Sequence, residues 1–338
     1  SYQTEKPQIE YFDPTYKQLA AALAHAIPKL PIIEFVSASA DAKVLLIFAG
    51  SDNDPGRYYV FDRTTHHLDE LGLVRPYLEK TELAHVSAVS YPAADGTLVP
   101  AYLTLPPQKD KATGLPAIVL PHGGPAARDV WGFDWLAQYY ASRGFAVLQP
   151  NYRGSAGYGN DWFVKNGFKS WKIAIGDIVD GGRWLIAQGA DPNKLAIVGW
   201  SYGGYAALQT NVVDPNLFKA VVAIAPVTDL EMLKRESEGF TNELIRNDYI
   251  GSGPHIEAGS PARHAEVFKA PVMLFHGEVD GNVDVAESRA MDRALHRADK
   301  QSELIVYPKL DHQLPDSAVR ADMLRRSYEF LRTNLKLD

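Results

Sequence analysis

Gly199-Trp200-Ser201-Tyr202-Gly203-Gly204-Tyr205 is the stretch that decides the fold of this chain. It contains a G-x-S-x-G pattern. The run before it, Lys194-Leu195-Ala196-Ile197-Val198, reads as a short buried strand, and the run after it, Tyr205 to Asn211, reads as a helix. Strand, tight turn and helix are the setting in which G-x-S-x-G forms a nucleophile elbow. The turn forces the serine into an unusual backbone conformation at the end of a strand. The flanking glycines are required because a β-carbon there would collide with the neighbouring strand or helix. Ser201 is then presented at a helix N-terminus, where free N–H groups and the helix dipole favour developing negative charge.

Outward from the elbow, strands and helices alternate. Ala117-Ile118-Val119-Leu120 is a predicted strand, Phe133 to Arg143 a helix, Phe145-Ala146-Val147-Leu148 a strand, and Ile175 to Ala187 a helix. Beyond it come strands at Ala220 to Ile224, Val272 to Phe275 and Leu304 to Tyr307, with helices at Val285 to Ala298 and Ser317 to Leu335. This order predicts an α/β-hydrolase-type fold, a mostly parallel twisted sheet with helices on both faces. Ligands in such sheets bind beyond the carboxyl ends of the strands. A hairpin, Val86 to Tyr91 and Leu98 to Leu105 around Ala94-Asp95-Gly96-Thr97, opens the region. Residues 1–83 differ in texture, with a helix at Tyr16 to Ala26 and short β runs such as Val44–Phe48, Tyr58–Phe61 and His67–Leu71. A few strands need a partner surface. The expected division is therefore a partial β region over 1–83 and the catalytic-type domain over 84–338.

A serine hydroxyl needs a base, and the base needs an orienting carboxylate. On this sheet type the chain order is serine, acid, histidine. Asp280 lies after the strand ending at Phe275 and is the expected acid, with Glu278, Asp284 and Asp311 as rivals. His312 lies after the strand ending at Tyr307 and is the expected base. Asp284 reads as a helix cap, and Asp311 adjoins His312 too closely in sequence to point at its ring. The oxyanion needs two donors. The Tyr202 backbone N–H is one. His122-Gly123-Gly124-Pro125, after the strand ending at Leu120, offers the other, assigned to the Gly124 N–H, with His122 either supporting the loop or donating through its ring.

Composition excludes several classes. The chain has 338 residues, 46% apolar and 22% charged, with a net charge of −7 and no cysteine. A thiol nucleophile, a disulfide frame and thiolate metal sites are thus excluded. No basic stripe suggests nucleic acid, and no apolar run approaches the ~18–20 residues of a membrane span. Asp177 and Asp180 have no histidine at ligand spacing, so no metal and no cofactor is expected. Tyr152, Arg153 and Tyr158 read as loop-pinning or site-shaping residues, and Glu231 to Glu243 as an exposed helix able to cap the site. The Cys-free composition leaves the compartment open, with a soluble cytoplasmic protein favoured over a periplasmic or secreted one.

The landmarks together resemble the prolyl oligopeptidase family of serine peptidases, nearest its acylaminoacyl-peptidase and dipeptidyl-peptidase branches. They are His122-Gly123-Gly124-Pro125, Asn151-Tyr152-Arg153-Gly154-Ser155-Ala156-Gly157-Tyr158-Gly159, the elbow, Ala225-Pro226-Val227, Ser260-Pro261, His276-Gly277-Glu278-Val279-Asp280-Gly281-Asn282-Val283, and His312. The resemblance implies a side-chain pocket lined by Tyr202, Val227 and Val283, with Asn282 holding a substrate carbonyl. Where the dipeptidyl branch carries proline-clamping aromatics, this sequence has Leu230 and Leu233, a departure from strict proline preference. His122, where other branches carry tyrosine, leans toward the acylaminoacyl branch. Residues 1–83 resemble the last strands of that family's β-propeller, so the chain is expected to be a fragment or truncated form of a longer parent.

The expectation is a serine peptidase acting on short peptides through an acyl-enzyme, with a homo-oligomer open. The alternatives are a carboxylic ester hydrolase on the same fold, since fold does not fix substrate, and a non-catalytic interaction module.

Overall fold

The computed structural model describes residues 2–3, 5–164, 167–241 and 243–337. Two compact units are present: Ser1–Ala88 with Thr104–Lys109 and Val130–Arg143, and Val89–Leu103 with Asp110–Asp129 and Gly144–Asp338.

In the first unit, β1 (Tyr2–Gln3) pairs antiparallel with β2 (Pro7–Gln8). Helix α1 (Pro14–Ala26) begins at Asp13, whose side chain accepts from the Thr15 and Tyr16 N–H groups, the capping that a free helix start requires. Strands β3 (Ile32–Ala38), β4 (Val44–Gly50), β5 (Arg57–Asp62) and β6 (His67–Leu73) form an antiparallel meander in that order. Alternate residues Leu45, Ile47 and Ala49 of β4 and Tyr59 and Phe61 of β5 face one side and bury against Leu23, Leu30 and Ile33. Strand β3 escapes the sequence pattern because its register shifts between Phe35 and Ser37. A bulge of this kind breaks the two-residue alternation by which strands are read.

The chain passes into the second unit along β7 (Val86–Pro92), followed by β8 (Leu98–Thr104) and β9 (Ala117–Val119). Helix α2 (Trp135–Ser142) belongs to the first unit. The second continues through β10 (Ala146–Pro150), α3 (Asn160–Phe163), α4 (Trp171–Ala187), β11 (Leu195–Trp200), α5 (Tyr202–Val213) and β12 (Ala220–Ile224). It ends with α6 (Leu230–Glu236), α7 (Glu243–Ile250), α8 (His255–Ala258), β13 (Val272–Gly277), α9 (Val285–Arg297), β14 (Ser302–Tyr307) and α10 (Ser317–Asn334). One eight-stranded sheet has the order β14-β13-β12-β11-β9-β10-β8-β7, and the pairs from β10 through β14 are parallel. Strands β9, β10, β12 and β13 are buried at every residue. That is why each carries a continuous apolar run, such as Ala117-Ile118-Val119, Ala146-Val147-Leu148 and Val272-Met273-Leu274-Phe275, rather than an alternating one. The steps β10 to β11, β11 to β12 and β13 to β14 all move the same way along the sheet. Right-handed crossovers therefore put α4, α5 and α9 on one face, where α4 and α5 pack together, while α10 packs on β12 and β13. This is the α/β-hydrolase architecture expected from the sequence.

The expected single helix over Glu231 to Glu243 is instead two elements. Helix α6 ends at Glu236, Ser237 follows as its cap, and Gly239 turns the chain with φ of 80°. Leu230 and Leu233 are buried, so α6 is not an exposed helix.

Two buried carboxylates hold the parts of this unit that frame the strand ends. Asp177 of α4 is fully buried and receives Arg153 through Nη2 at 2.6 Å and Nε at 3.0 Å, plus the Arg153 N–H at 2.9 Å. Arg153 also bonds Asp95 and Thr97 of the β7–β8 turn. One guanidinium thereby ties hairpin, loop and helix together. Glu287 of α9 is fully buried, and its Oε2 accepts from Thr228 N at 2.7 Å, Thr228 Oγ1 at 2.6 Å and Asp229 N at 2.8 Å. It fixes the segment that joins β12 to α6.

Removing one partner of a buried pair strands the other charge. Asp177→Ala should therefore lower the unfolding free energy by about 3–5 kcal/mol in urea titrations. A loss within the ~0–1 kcal/mol of a surface pair would contradict this account. The Glu287 carboxyl is pushed up to about 8, by burial first and then by the charge of Glu236, against an ordinary value of 4.5. Between those values the folded state binds more protons than the unfolded one, so this group's contribution to stability falls as pH rises. Glu287→Gln should flatten that fall and gain on the parent protein between pH 5 and pH 8, measured by denaturant midpoints at both. Parallel losses in the two proteins would assign the slope to another group.

Candidate active site

Ser201, between β11 and α5, has φ of 61° and ψ of −122°, an uncommon conformation for a residue with a side chain. Its N–H donates to the Ile224 carbonyl at 2.8 Å, which pins the elbow to the end of β12. The glycines are required by contact. A β-carbon on Gly199 would lie 2.0 Å from the Gly203 oxygen, and one on Gly203 would lie 2.2 Å from the Pro121 oxygen. Helix α5 is thus seated directly against the loop that leaves β9.

His312 follows β14, and its Nδ1 lies 2.6 Å from Asp280 Oδ2. The carboxylate accepts, so Nδ1 carries the proton and Nε2 is left with a lone pair. The indole Nε1 of Trp200 donates to the His312 carbonyl at 3.0 Å and holds the histidine loop beside the elbow. Gly277 permits that loop to pass, since a β-carbon there would stand 2.4 Å from the carbonyl oxygens of both Leu310 and Asp311. Ser201 and His312 line one cavity of about 300 Å³. In this structure no hydrogen bond joins them, and such bonds commonly tighten only with substrate bound.

Asp280 is buried, yet its carboxyl is held well below the usual carboxylate range. Burial alone would raise it. Hydrogen bonds from His276 and His312 and from the backbone outweigh that. The Oδ1 accepts from Asn282 N at 2.8 Å and Val283 N at 3.0 Å. His276 is the partner that the sequence reading did not single out. Its Nε2 lies 2.9 Å from the Val283 carbonyl and 3.2 Å from Asp280 Oδ2. A carbonyl and a carboxylate only accept, so Nε2 donates, while Nδ1 takes the Ser288 hydroxyl at 2.7 Å. The position of His276 at the end of β13, four residues before Asp280, was the available signal. The rival acids are engaged elsewhere. Asp284 caps α9 through Ala286 N, Asp311 accepts from Gln313 N in its own loop, and Glu278 is exposed.

Tyr202 is the first residue of α5, so its N–H has no acceptor within the helix. Gly124 lies across the same cavity with φ of 116°. His122 Nδ1 is 2.7 Å from the Gly123 oxygen and donates to it, while Nε2 meets Ser155 Oγ at 2.7 Å. Tyr152 stacks on the ring at 4.4 Å and donates its hydroxyl to the His122 carbonyl at 2.9 Å. Burial pushes the His122 imidazole down to about 4, so it stays neutral. In a trans peptide the carbonyl and N–H point in opposite directions. Fixing the Gly123 carbonyl thus fixes the direction of the Gly124 N–H.

Val227, Leu233, Asn282 and Val283 line the cavity, together with Phe168, Arg246, Tyr249 and Ile250. Leu230 is fully buried in the first turn of α6 and is not among the lining residues. Among the described residues no cluster of His, Asp and Glu has the form of a metal site. No helix among them is long and apolar enough to cross a membrane.

Comparison with known proteins agrees with this architecture. Dipeptidyl aminopeptidase BIII of Pseudoxanthomonas mexicana is 30% identical over 325 residues, 90% of this chain and 47% of that protein. The acylamino-acid-releasing enzyme of Homo sapiens is 26% identical over 68% of this chain and 32% of its own. The chain spans about half the length, or less, of the curated relatives it matches. Among solved structures, a puromycin-hydrolyzing peptidase of Mycobacterium tuberculosis superposes with a TM-score of 0.77 at 24% identity, covering 88% of this chain and 46% of that one. An acylaminoacyl peptidase of Pyrococcus horikoshii gives 0.77 at 22% identity, covering 89% and 50%. At such identities the superpositions speak for the fold alone. The sequence profile of the prolyl oligopeptidase family matches residues 131–338. That match takes in the elbow, Asp280 and His312 and spans more than half of the chain, which makes this protein a member of the prolyl oligopeptidase family.

Proposed function

We propose that this chain carries a serine peptidase domain that hydrolyses peptide bonds of short peptides through an acyl-enzyme. The observation that carries the reading is a strained serine sharing one cavity with an imidazole that is hydrogen-bonded to a buried carboxylate. In this reading Ser201 Oγ attacks the carbonyl and His312 Nε2 takes its proton. Asp280 keeps the ring in the tautomer needed and stabilises the imidazolium that forms. His276 and the Asn282 and Val283 N–H groups hold Asp280 ionised and in place. The N–H groups of Tyr202 and Gly124 receive the oxyanion, the second aimed by His122 through the Gly123 carbonyl. His312 then returns the proton to the leaving amine, and water repeats the cycle on the acyl-enzyme. No step calls for a cofactor. Val227, Leu233 and Val283 form apolar walls for a substrate side chain, and Asn282 stands where a substrate carbonyl would pass. Residues 1–83 are proposed as a partial propeller-like region, on the strength of the four-stranded meander over β3 to β6.

Ser201→Ala should abolish labelling by a fluorophosphonate and lower kcat by at least ~10³-fold on aminoacyl and N-acyl chromogenic amides. Its unfolding midpoint should stay close to that of the parent protein. Labelling that persists at another serine would remove Ser201 from this role. Cleavage of esters with no amide turnover would replace a peptidase with an esterase.

Asp280→Asn should lower kcat by about 10³–10⁴-fold, because the ring loses the acceptor that sets its tautomer. Asp311→Asn and Asp284→Asn should each cost far less. Steady-state rates of the three variants decide the acid, and a larger loss at Asp311 would reverse the assignment.

A further inference from the structure

Helix α7 turns one face to the cavity that holds Ser201. Arg246, Tyr249 and Ile250, spaced three and four residues apart, all line it. Leu244, Ile245 and Asp248 point to solvent instead, Asp248 with its carboxylate on Lys169 at 3.0 Å. Apart from the proposed base, Arg246 is the one basic side chain among the lining residues, and no acidic side chain joins them. Its guanidinium has five N–H donors. Its one hydrogen bond among the described residues runs from Nη2 to the Asn282 carbonyl at 2.6 Å, and no carboxylate there lies within ion-pair distance of it.

None of the described acids nearby forms an ion pair with Arg246, and most are engaged by other partners. Asp280 is taken by His312, His276 and two backbone N–H groups. Asp284 caps α9. Glu287 is taken by Thr228 and Asp229. Glu236 is near enough to feel the charge of Arg246; its Oε2 accepts from the Asp284 N–H at 3.2 Å and its Oε1 has no hydrogen-bond partner among the described residues, yet it forms no ion pair with Arg246. A guanidinium that keeps most of its donors free beside a cavity with no acidic side chain in its lining is complementary to a carboxylate, which it grips with two parallel bonds.

We propose that Arg246 makes this a pocket for an acidic side chain, so that peptides with glutamate or aspartate on the acyl side of the scissile bond are the favoured substrates. The proposal rests on the peptidase reading above. The substrate carbonyl sits between Ser201 and the Tyr202 and Gly124 N–H groups, and the side chain next to it enters the cavity. Its methylene groups pack on Val227 and Val283 while its carboxylate reaches Arg246. A cavity of about 300 Å³ has room for a glutamyl side chain. The interaction is charge-assisted, so it acts on binding and is weakened by salt.

The test compares kcat/KM for chromogenic amides that differ only in glutamate or glutamine at the acyl position. The pair is nearly isosteric and differs in charge. The parent protein should favour glutamate by at least ~10-fold, about 1.4 kcal/mol. That advantage should appear mainly in KM and shrink with added sodium chloride. In R246Q the ratio should fall to about one. In R246K, which keeps the charge but not the fork, it should fall between the two. Each ratio is internal to one variant, so a general loss of activity does not mimic the effect, and circular dichroism checks folding. A ratio near or below one in the parent protein, or an unchanged ratio in R246Q, would overturn the proposal. If the parent protein takes the fluorophosphonate and turns over glutamine or leucine substrates without favouring glutamate, only the assignment of Arg246 fails. If it neither labels nor turns over any amide, the peptidase reading fails and takes this proposal with it.

Discussion

The close approach of α5 to the loop after β9 is the constraint on which the rest of the site depends. Gly203 and the Pro121 carbonyl leave no space for a side-chain atom between them. This contact sets the distance between the elbow and the His122-Gly123-Gly124 turn, and so between the serine and one of its two proposed oxyanion donors. The positive φ of Ser201 is the local cost of that geometry, held in place by the Ile224 hydrogen bond and by the fully buried strands on either side. The parallel sheet supplies the remaining order. Strands β9, β11, β13 and β14 end at one edge, and each delivers one chemical part there.

Much of this was legible in the sequence because each part carries a local signature. Glycines flank Ser201, apolar runs of four or five residues mark the buried strands, and the acid and the histidine each follow such a run. The unread parts have no such mark. The register of strand β3 shifts at a bulge, and α6 ends before a turn at Gly239 in a stretch of mixed charge. The role of His276 depends on tautomers and on the Val283 carbonyl, and neither spacing nor composition reports these. Arg246 lies 45 residues beyond the serine on a helix with no motif, and only the fold brings it to the cavity. Leu230 and Leu233 illustrate the same limit. They lie three residues apart on α6, yet one lines the cavity and the other is sealed beneath it.

Three acids of the second unit, Asp280, Glu287 and Glu236, are treated in opposite ways by their surroundings. Asp280 is supplied with enough donors to remain ionised despite burial, and an ionised group is what an imidazole partner needs. Glu287 and Glu236 are pushed the other way, to about 8 and about 7, each chiefly by burial. The difference lies in the donors. Asp280 has two imidazoles and two backbone N–H groups, whereas one oxygen of each glutamate has no hydrogen-bond partner among the described residues. Similar side chains within one region are therefore driven in opposite directions, one held as a fixed charge and the others pushed toward the neutral form.

The functional groups are also spread along the chain in an order that matters for its making. Gly124 precedes Ser201, which precedes Asp280, which precedes His312, and each arrives on a separate strand end. A chain emerging from the ribosome delivers the elbow sequence well before that of β14, and contacts so distant in sequence are late to close. Until β14 docks beside β13, His312 is not in place beside the elbow, and an unassisted serine hydroxyl is only a weak nucleophile. On the proposed mechanism, the order of the strands therefore withholds an activated serine until the sheet around it is complete.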